Sequence, residues 1–211
     1  MDFIKEPMAI ENRSMELIAP HLEELDLDER ATKLYSRLIH ASGDVGYAPI
    51  TRVHPEAIDR AIEALKAGAH IYTDVEMVRT GINKKKLASF GGEVHCLVAD
   101  PDVAVRAKEL GITRAMVAMR QFGKALNGSI VAIGNAPTAL FEVLRLVREE
   151  GIRPACIVGI PVGFVGAAES KAALAAHGIV PYITVEGTKG GSPIAAAAIN
   201  ALMYLIDNTR P

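Results

Sequence analysis

Short apolar segments alternate with longer amphipathic ones along this chain. Five of the short segments are rich in β-branched residues and apolar on both faces, which is typical of strands buried in a parallel sheet. They are residues 70–78, 93–100, 129–135, 155–163 and 180–187. Helical patterns fill the intervals, and such alternation indicates a sheet covered on both sides. The pattern predicts an α/β fold, a three-layer α/β/α arrangement with a mainly parallel central sheet of about five strands.

Proline and glycine mark two of the helices. Residues 101–110 begin at Pro101 and precede Gly111, while residues 137–149 begin at Pro137 and precede Gly151. Proline at the first helical position and glycine just after the last one are common helix boundaries. Amphipathic patterns predict further helices at residues 28–40, 55–67, 113–122, 167–177 and 193–206.

The chain shows no internal repeat or linker, so residues 1–211 are predicted to form a single domain. The one run of like charges, Lys84 to Lys86, is predicted to be a solvated loop. Residues 193–206 consist almost entirely of Ala, Ile and Leu. A helix of this composition must be buried, either in the core or at a subunit contact.

Composition and charge limit the partners. The formal net charge of -2 argues against a nucleic-acid partner. The N-terminal segment carries charges where a signal peptide needs an apolar stretch, and the longest apolar runs are too short to span a bilayer. We therefore expect a cytoplasmic protein without membrane association. Cys96 and Cys156 lie in apolar runs and are predicted to be reduced core residues, so no metal site is expected.

His40 is the best candidate for acid chemistry. It lies at the predicted end of the helix over residues 28–40 and precedes a helix-stop sequence, Ala-Ser-Gly-Asp. Near a helix C-terminus the macrodipole favours the imidazolium form, so His40 can serve as an acid near neutral pH, with Asp44 steadying the charge. The alternative is a histidine that only caps the last carbonyls of the helix. The other five histidines are predicted to have structural or surface roles.

Three loops follow predicted strands at the edge where parallel sheets bind ligands. They are residues 134–140, 159–171 and 188–193. The first two lead into helices, whose N-terminal N–H groups can bind an anionic group. A nucleotide phosphate would satisfy them as well as a carboxylate, although neither loop has a Walker A or G-x-G-x-x-G sequence. Their glycines also suit close packing of helices on the sheet.

Five stretches together resemble a known family. They are RLIHASGD (37–44), TDVEMVRTGI (73–82), IGNAPTAL (133–140), GIPVGFVGAAESK (159–171) and TKGGSPIAAAAINAL (188–202). In this order and spacing they are similar to the precorrin-8X methylmutases, from Ser14 to about Leu202. One position departs from the family pattern, since Thr188 stands before Lys189 where an arginine is expected.

The resemblance implies a homodimeric isomerase of cobalamin biosynthesis that moves a methyl group from C-11 to C-12 of a tetrapyrrole, precorrin-8X or cobalt-precorrin-8. The products would be hydrogenobyrinic acid and cobyrinic acid, respectively. It implies that His40 is the catalytic acid. The implied substrate-binding residues are Ser14, Arg37, Thr73, Asp74, Arg114 and Lys189. No cofactor is expected, because a shift within one molecule needs neither redox change nor group donor. The alternatives are a non-catalytic corrinoid-binding protein and a nucleotide-binding enzyme.

Overall fold

The computed structural model describes residues 3–207. Residues 1, 2 and 208–211, which the single-domain prediction includes, lie outside the described part. Six strands form one sheet: β1 Thr51–Val53, β2 Ile71–Thr73, β3 Val94–Cys96, β4 Ile130–Ile133, β5 Cys156–Gly159 and β6 Tyr182–Val185.

Ten α-helices surround the sheet in the described part: α1 Pro7–Ile18, α2 Glu29–Ser42, α3 Ala57–Lys66, α4 Glu76–Gly81, α5 Lys84–Ser89, α6 Pro101–Leu110, α7 Arg114–Phe122, α8 Pro137–Glu149, α9 Ala167–His177 and α10 Ser192–Asp207. Short 3-10 turns lie at Ala19–His21, Glu23–Leu25, Val45–Tyr47 and Gly123–Leu126. The helices bounded by proline and glycine, α6 and α8, have the predicted limits.

The strand order is β1-β6-β5-β4-β2-β3. All neighbours are parallel except β1, which pairs antiparallel with β6 at the edge. The mainly parallel sheet is confirmed, with six strands rather than about five. After β3 the chain returns to the other side of β2, so the order reverses between β2 and β4. Open α/β sheets commonly bind ligands at such a switch point.

Helices cover both faces of the sheet, which confirms the three-layer architecture. Helices α2, α3, α4 and α10 pack on one face over Ile130, Val158 and Ile183. Helices α7, α8 and α9 pack on the other over Val131 and Ile157. Side chains of successive strand residues point to opposite faces, so both layers require apolar strand residues throughout.

Helix α10 lies inside the first of these layers. It packs against α2, α3 and α4, and residues such as Ala195, Ala198, Ile199 and Leu202 are fully buried. The apolar sequence predicted burial either in the core or at a subunit contact. The structure shows that the core of the same chain buries it.

The predicted strands are longer than the observed ones. The first was expected over residues 70–78, but β2 ends at Thr73 and helix α4 follows. Its apolar residues Val75, Val78 and Ile82 have helical spacing, a signal that the strand interpretation overlooked. The expectation of a loop at Lys84 to Lys86 was wrong, since Asn83 accepts a hydrogen bond from Lys86 N at 3.1 Å and caps α5.

Candidate active site

His40 lies in the last turn of α2, two residues before the helix ends. Its side chain is exposed, and no hydrogen bond joins its ring to another residue within 3–207. The helix is terminated instead by Gly43, which adopts a left-handed conformation and donates to Ile39 O at 2.8 Å. The Ser42 hydroxyl also donates to Ile39 O at 3.0 Å. Since these groups satisfy the C-terminal carbonyl, the ring of His40 is not engaged as a cap.

Asp44 forms an ion pair with Lys189, whereas the sequence pattern predicted that it stabilises His40. Its Oδ2 atom lies 2.6 Å from Lys189 Nζ, and Oδ1 accepts from Gly46 N at 2.8 Å. The Lys189 ammonium, followed by this backbone N–H, holds the pKa of Asp44 below its usual value. The expectation that Asp44 steadies the charge of His40 is therefore replaced by an Asp44–Lys189 ion pair, because the loop after β6 brings the Lys189 ammonium to this carboxylate.

A cavity of about 390 Å³ opens beside this pair. It is lined by residues Ala41, Ser42, Asp44, Tyr47, Val162, Lys189, Gly190, Pro193 and Ile194. Three parts of the chain therefore converge: the end of α2, the loop after β5 and the loop after β6. The lining begins at Ala41, the residue directly after His40, and includes Lys189.

Lys171 of α9 holds the loop that carries Lys189. Its side chain is only 1% exposed, and Nζ donates a hydrogen bond to the Lys189 carbonyl. Burial lowers the pKa of the Lys171 amine to about 8. This buried amine fixes the backbone at Lys189 while the Lys189 side chain points to Asp44. Nothing in the sequence pattern singled out Lys171, because its role depends on a contact between distant segments.

Gly190 lets the loops after β5 and β6 approach closely. Its φ is +152°, and a Cβ placed there would lie 2.6 Å from Ile160 O and 2.7 Å from Pro161 O. The neighbouring Gly191 N donates to Ile160 O at 2.9 Å, and Gly163 N donates to Thr188 O at 3.1 Å. These contacts join the two loops into one wall of the cavity.

Asp74 lies at the switch point between β2 and β4. It is fully buried, and its carboxylate accepts from Gly134 N at 3.0 Å, Asn135 N at 2.8 Å and Ala136 N at 2.6 Å. Burial raises the pKa of Asp74, and the three N–H groups act against that rise. The expectation that the loop 134–140 offers its N–H groups to an external anion was wrong, since a carboxylate of the same chain already occupies them.

Thr73, the residue before Asp74, is also fully buried. Its hydroxyl donates to His95 O at 3.1 Å and so bridges β2 to β3. Both predicted contact residues are thus directed into the protein, where they fix the carboxyl end of β2.

Ser14 lies on α1, and Arg37 lies on α2, the helix whose C-terminal end lines the cavity. Arg37 is one turn before His40 on α2, and its guanidinium forms an ion pair with Glu11 of α1. Both side chains of this pair are nearly buried, at 11% and 12% exposed, and Arg37 also lies 5.8 Å from the ring centroid of Tyr204. Ser14, one turn after Glu11, donates to Ile10 O at 2.8 Å. The structure thus places both residues near the α1–α2 contact.

Arg114 lies in the layer on the other face of the sheet from His40. It is the first residue of α7, is exposed, and follows Thr113, whose Oγ1 lies 2.9 Å from Thr138 Oγ1. Thr138 is in the first turn of α8, after the carboxyl end of β4. Arg114 therefore shares the sheet edge with His40 but not the cavity.

A second cavity lies away from His40. It has a volume of about 530 Å³ and is lined by Ala155 and Pro181, which precede β5 and β6, so it lies at the opposite edge of the sheet from His40.

The two cysteines form no disulfide. Burial raises the pKa of the Cys156 thiol to about 12, which leaves that thiol unreactive.

In the described part of the chain, no helix has the length and apolar character needed to cross a bilayer.

Comparison with known proteins identifies the family. The family model described as precorrin-8X methylmutase matches residues 9–205. The cobalt-precorrin-8 methylmutase of Priestia megaterium is 42% identical over 203 residues, which cover 96% of this chain and 90% of that protein. The precorrin-8X methylmutase of Pseudomonas aeruginosa is 43% identical over 203 residues, covering 96% and 97%.

The fold agrees with a solved structure of the same name. The crystal structure of precorrin-8X methylmutase from Thermus thermophilus superposes with a TM-score of 0.87 at 38% identity, and the match covers 95% of this chain and 96% of that one. Because the family model and these relatives cover nearly the whole chain, the protein belongs to the precorrin-8X methylmutase family.

Proposed function

We propose that this protein moves the methyl group on C-11 of precorrin-8X, or of cobalt-precorrin-8, to C-12 in cobalamin biosynthesis. Membership of the family makes it an isomerase that transfers a methyl group within one molecule. Precorrin-8X would give hydrogenobyrinic acid, and the cobalt form would give cobyrinic acid. The observation that carries the proposal is an exposed histidine, His40, which has no hydrogen-bond partner among residues 3–207. It directly precedes Ala41, the first lining residue of a cavity that also contains Lys189, at the carboxyl edge of the sheet.

The proposed role of His40 is that of a general acid. In a 1,5-sigmatropic shift the methyl group leaves one ring carbon and joins its neighbour, and no atom is gained or lost. Protonation of a ring nitrogen beside the migrating carbon withdraws electron density and favours the rearranged conjugation. A positioned acid of this kind contributes about 10²- to 10⁴-fold to the rate. The proton returns to His40 when the product re-forms its neutral nitrogen.

Holding the ring in a reactive shape supplies the remaining acceleration. The acetate and propionate arms of the substrate are anionic, so Lys189, Arg37 and Arg114 are the proposed cationic contacts, with Ser14 as a hydroxyl contact. Lys189 is 50% exposed and can exchange Asp44 for a substrate carboxylate. At Arg37 a carboxylate would share the five guanidinium donors with Glu11.

Thr73 and Asp74 are proposed to act through the backbone and not by touching the substrate. Their polar atoms are buried and hydrogen-bonded to β3 and to the segment between β4 and α8. They would set the relative positions of the carboxyl ends of β2 and β4. A substitution there would reach the ring only by displacing these strands.

The metal content of the ring changes what His40 can do. In a cobalt-containing substrate the ring nitrogens coordinate the metal and accept a proton poorly, so His40 would act at the periphery or orient the ring. With the metal-free substrate a ring nitrogen is open to protonation. Turnover of each substrate by the same preparation, followed by absorption, assigns the natural one.

The family resemblance also implies a homodimer in the cytoplasm, and we propose both. Next to Val162 of the cavity wall, Phe164 and Val165 are 94% and 89% exposed. Apolar side chains this exposed favour burial against a second copy, which would also enlarge a cavity small for a macrocycle. Sedimentation should give a dimer for the natural chain and a monomer for Phe164→Glu. If Phe164→Glu still sediments as a dimer, this loop is not part of the dimer contact.

The central experiment uses His40→Ala. We expect substrate binding to stay within about tenfold of the natural protein, equivalent to about 1.4 kcal/mol, while turnover is abolished. The matched control is His21→Ala, since His21 is exposed in the turn before α2 and lines no part of the cavity. The measurement is the absorption spectrum after mixing with precorrin-8X, because completed corrin conjugation changes the colour.

Two alternative functions make different predictions in the same assays. A non-catalytic corrinoid carrier would bind the ring but give no spectral change in the natural protein. A nucleotide-binding enzyme would show a raised melting temperature with NAD, NADP or ATP, since a ligand at 100 times its Kd adds about 2.7 kcal/mol of stability. The occupation of Gly134 N, Asn135 N and Ala136 N by Asp74 supports the expectation of no shift.

A further inference from the structure

A second polar cluster lies at the opposite edge of the sheet from His40. It consists of His70, Glu93 and His95, whose potential ligand atoms all lie within 4.8 Å of one another. No sequence pattern predicts this cluster, because 23 residues separate His70 from Glu93. The parallel pairing of β2 with β3, in which Tyr72 is opposite His95, brings them together. Residues two apart on a strand share a face, so all three side chains start on one side of the sheet.

The two imidazoles are already at the spacing that a metal ion requires. His95 Nε2 lies 3.1 Å from His70 Nδ1. Two nitrogens bound to one tetrahedral Zn²⁺ at about 2.0–2.1 Å are separated by about 3.3 Å. Only a few tenths of an ångström therefore separate the observed pair from that geometry. Few side-chain rearrangements would be needed for both rings to bind the same ion.

The ring of His95 is held in place by aromatic neighbours. Tyr72 stacks on it with centroids 5.1 Å apart and planes inclined by 23°, and Phe122 packs edge-on against Tyr72 at 4.7 Å. These contacts limit the rotation of the imidazole, and a ring that is already fixed in place loses little conformational freedom when it binds a metal ion.

His70 presents an unprotonated nitrogen to the same point. Its Nδ1 accepts from Glu93 N at 3.2 Å, so in the metal-free protein His95 Nε2 is the donor across the 3.1 Å contact. When the metal binds, this proton moves to His95 Nδ1 or to solvent, which frees the Nε2 lone pair for the ion. Glu93 Oε2 lies 3.9 Å from His95 Nε2, and the Glu93 side chain is 73% exposed and able to turn inward. The carboxylate can therefore complete a three-residue ligand set while a fourth position stays open to water.

We propose that His70, Glu93 and His95 bind one divalent transition-metal ion of the Zn²⁺ class, with water as the fourth ligand. Two imidazoles and one carboxylate form a donor set that suits Zn²⁺ or Co²⁺ and not Mg²⁺ or Ca²⁺, which prefer oxygen. The ion ties the edge strand β3 to β2, at the end of the sheet away from the cavity. It is a site distinct from the proposed methyl transfer and is independent of it.

The test is titration of the full-length chain, prepared without a histidine tag, with ZnCl₂ and CoCl₂. We expect one equivalent of Zn²⁺ to bind and raise the melting temperature, and Co²⁺ to give the intense visible bands of a tetrahedral site. His70→Gln and His95→Gln should each weaken binding by at least about 100-fold, since even outer-shell changes cost 10- to 100-fold. Glu93→Gln, at an exposed position that leaves folding intact, should weaken it by at least about tenfold.

Two controls separate this site from other ligands. His21→Gln removes an exposed histidine elsewhere, and Cys96→Ser removes the nearby thiol on β3. Both should bind Zn²⁺ like the natural chain. Absence of binding at 100 µM Zn²⁺, or binding unchanged in His95→Gln and in Glu93→Gln, would overturn the proposal. Loss of binding in Cys96→Ser alone would also overturn it.

Discussion

Replacing Lys171 with methionine should change how the stability of the protein depends on pH. The Lys171 amine is buried with a pKa of about 8, whereas an unfolded lysine titrates near 10.5. Between these values the unfolded chain binds a proton that the folded chain does not. The free energy of unfolding therefore rises with pH across this window, because stability increases wherever the unfolded state binds more protons.

The size of the effect follows from the two pKa values. At roughly 1.4 kcal/mol per pH unit, the full linkage is about 3 kcal/mol. About 2.5 kcal/mol of it falls between pH 7 and pH 10. The buried Lys171 ammonium therefore lowers the free energy of unfolding at neutral pH. Lys171→Met removes this linkage and leaves the Lys189 carbonyl without its donor, a cost of about 1–3 kcal/mol that does not vary with pH.

The measurement is urea unfolding of both proteins at intervals from pH 7 to pH 10, with linear extrapolation. Other groups titrate in this range, and Cys156, with its pKa raised to about 12, acts in the opposite direction above pH 9. They are common to both proteins, so the difference between the two free energies isolates Lys171. We expect that difference to grow by about 2.5 kcal/mol in favour of the natural chain.

The control is Lys108→Met, at an exposed position on α6, which should give a difference that is flat with pH. A difference between natural chain and Lys171→Met that stays constant within about 0.5 kcal/mol would refute the reasoning. It would mean that the amine keeps its solution behaviour despite its burial.

Three further predictions concern single contacts. Asp74→Asn should lower the free energy of unfolding by about 3 kcal/mol in urea, because an amide nitrogen cannot accept from the N–H groups of Asn135 and Ala136 just before α8. An unchanged midpoint would contradict this. Gly190→Ala should lower kcat/KM by about 10- to 100-fold, because the added Cβ would clash with Ile160 O. The control is Gly187→Ala, which also has a positive φ but open space around it and should lower kcat/KM far less. Equal decreases in kcat/KM would exclude the clash as the cause. Glu142→Gln should cost about 2 kcal/mol in thermal unfolding, since its buried carboxylate pairs with two partly exposed arginines; a loss under 0.5 kcal/mol would count against it.

Local sequence signals predicted most of the fold. Proline and glycine bounded α6 and α8 correctly, and short apolar runs located five of the six strands. Strand β1 was missed because its three residues form a strand only by pairing with β6. Helix α1 was missed because its pattern is weakly amphipathic, and its start depends on a Glu6 side chain that caps Met8 N and Ala9 N.

The sequence predicted the positions of individual site residues but not the contacts between them. The ending of α2 and the strand-following loops located His40 and Lys189 at one sheet edge. The partners of Asp44, Asp74 and Lys171 were not predictable, because each is a contact between segments far apart in sequence. The same holds for the ligand set of His70, Glu93 and His95, which exists only once β2 and β3 are in register.

The central position of α10 has a consequence for synthesis of the protein. This helix comes after all the other described elements, yet it fills the space between α2, α3 and α4. While the ribosome is still making it, those helices expose the apolar faces that α10 later covers. The nascent chain would therefore remain incompletely folded and prone to aggregation until α10 has emerged. A chain truncated before α10 should behave as a substrate for chaperones and proteases and not as a smaller stable domain.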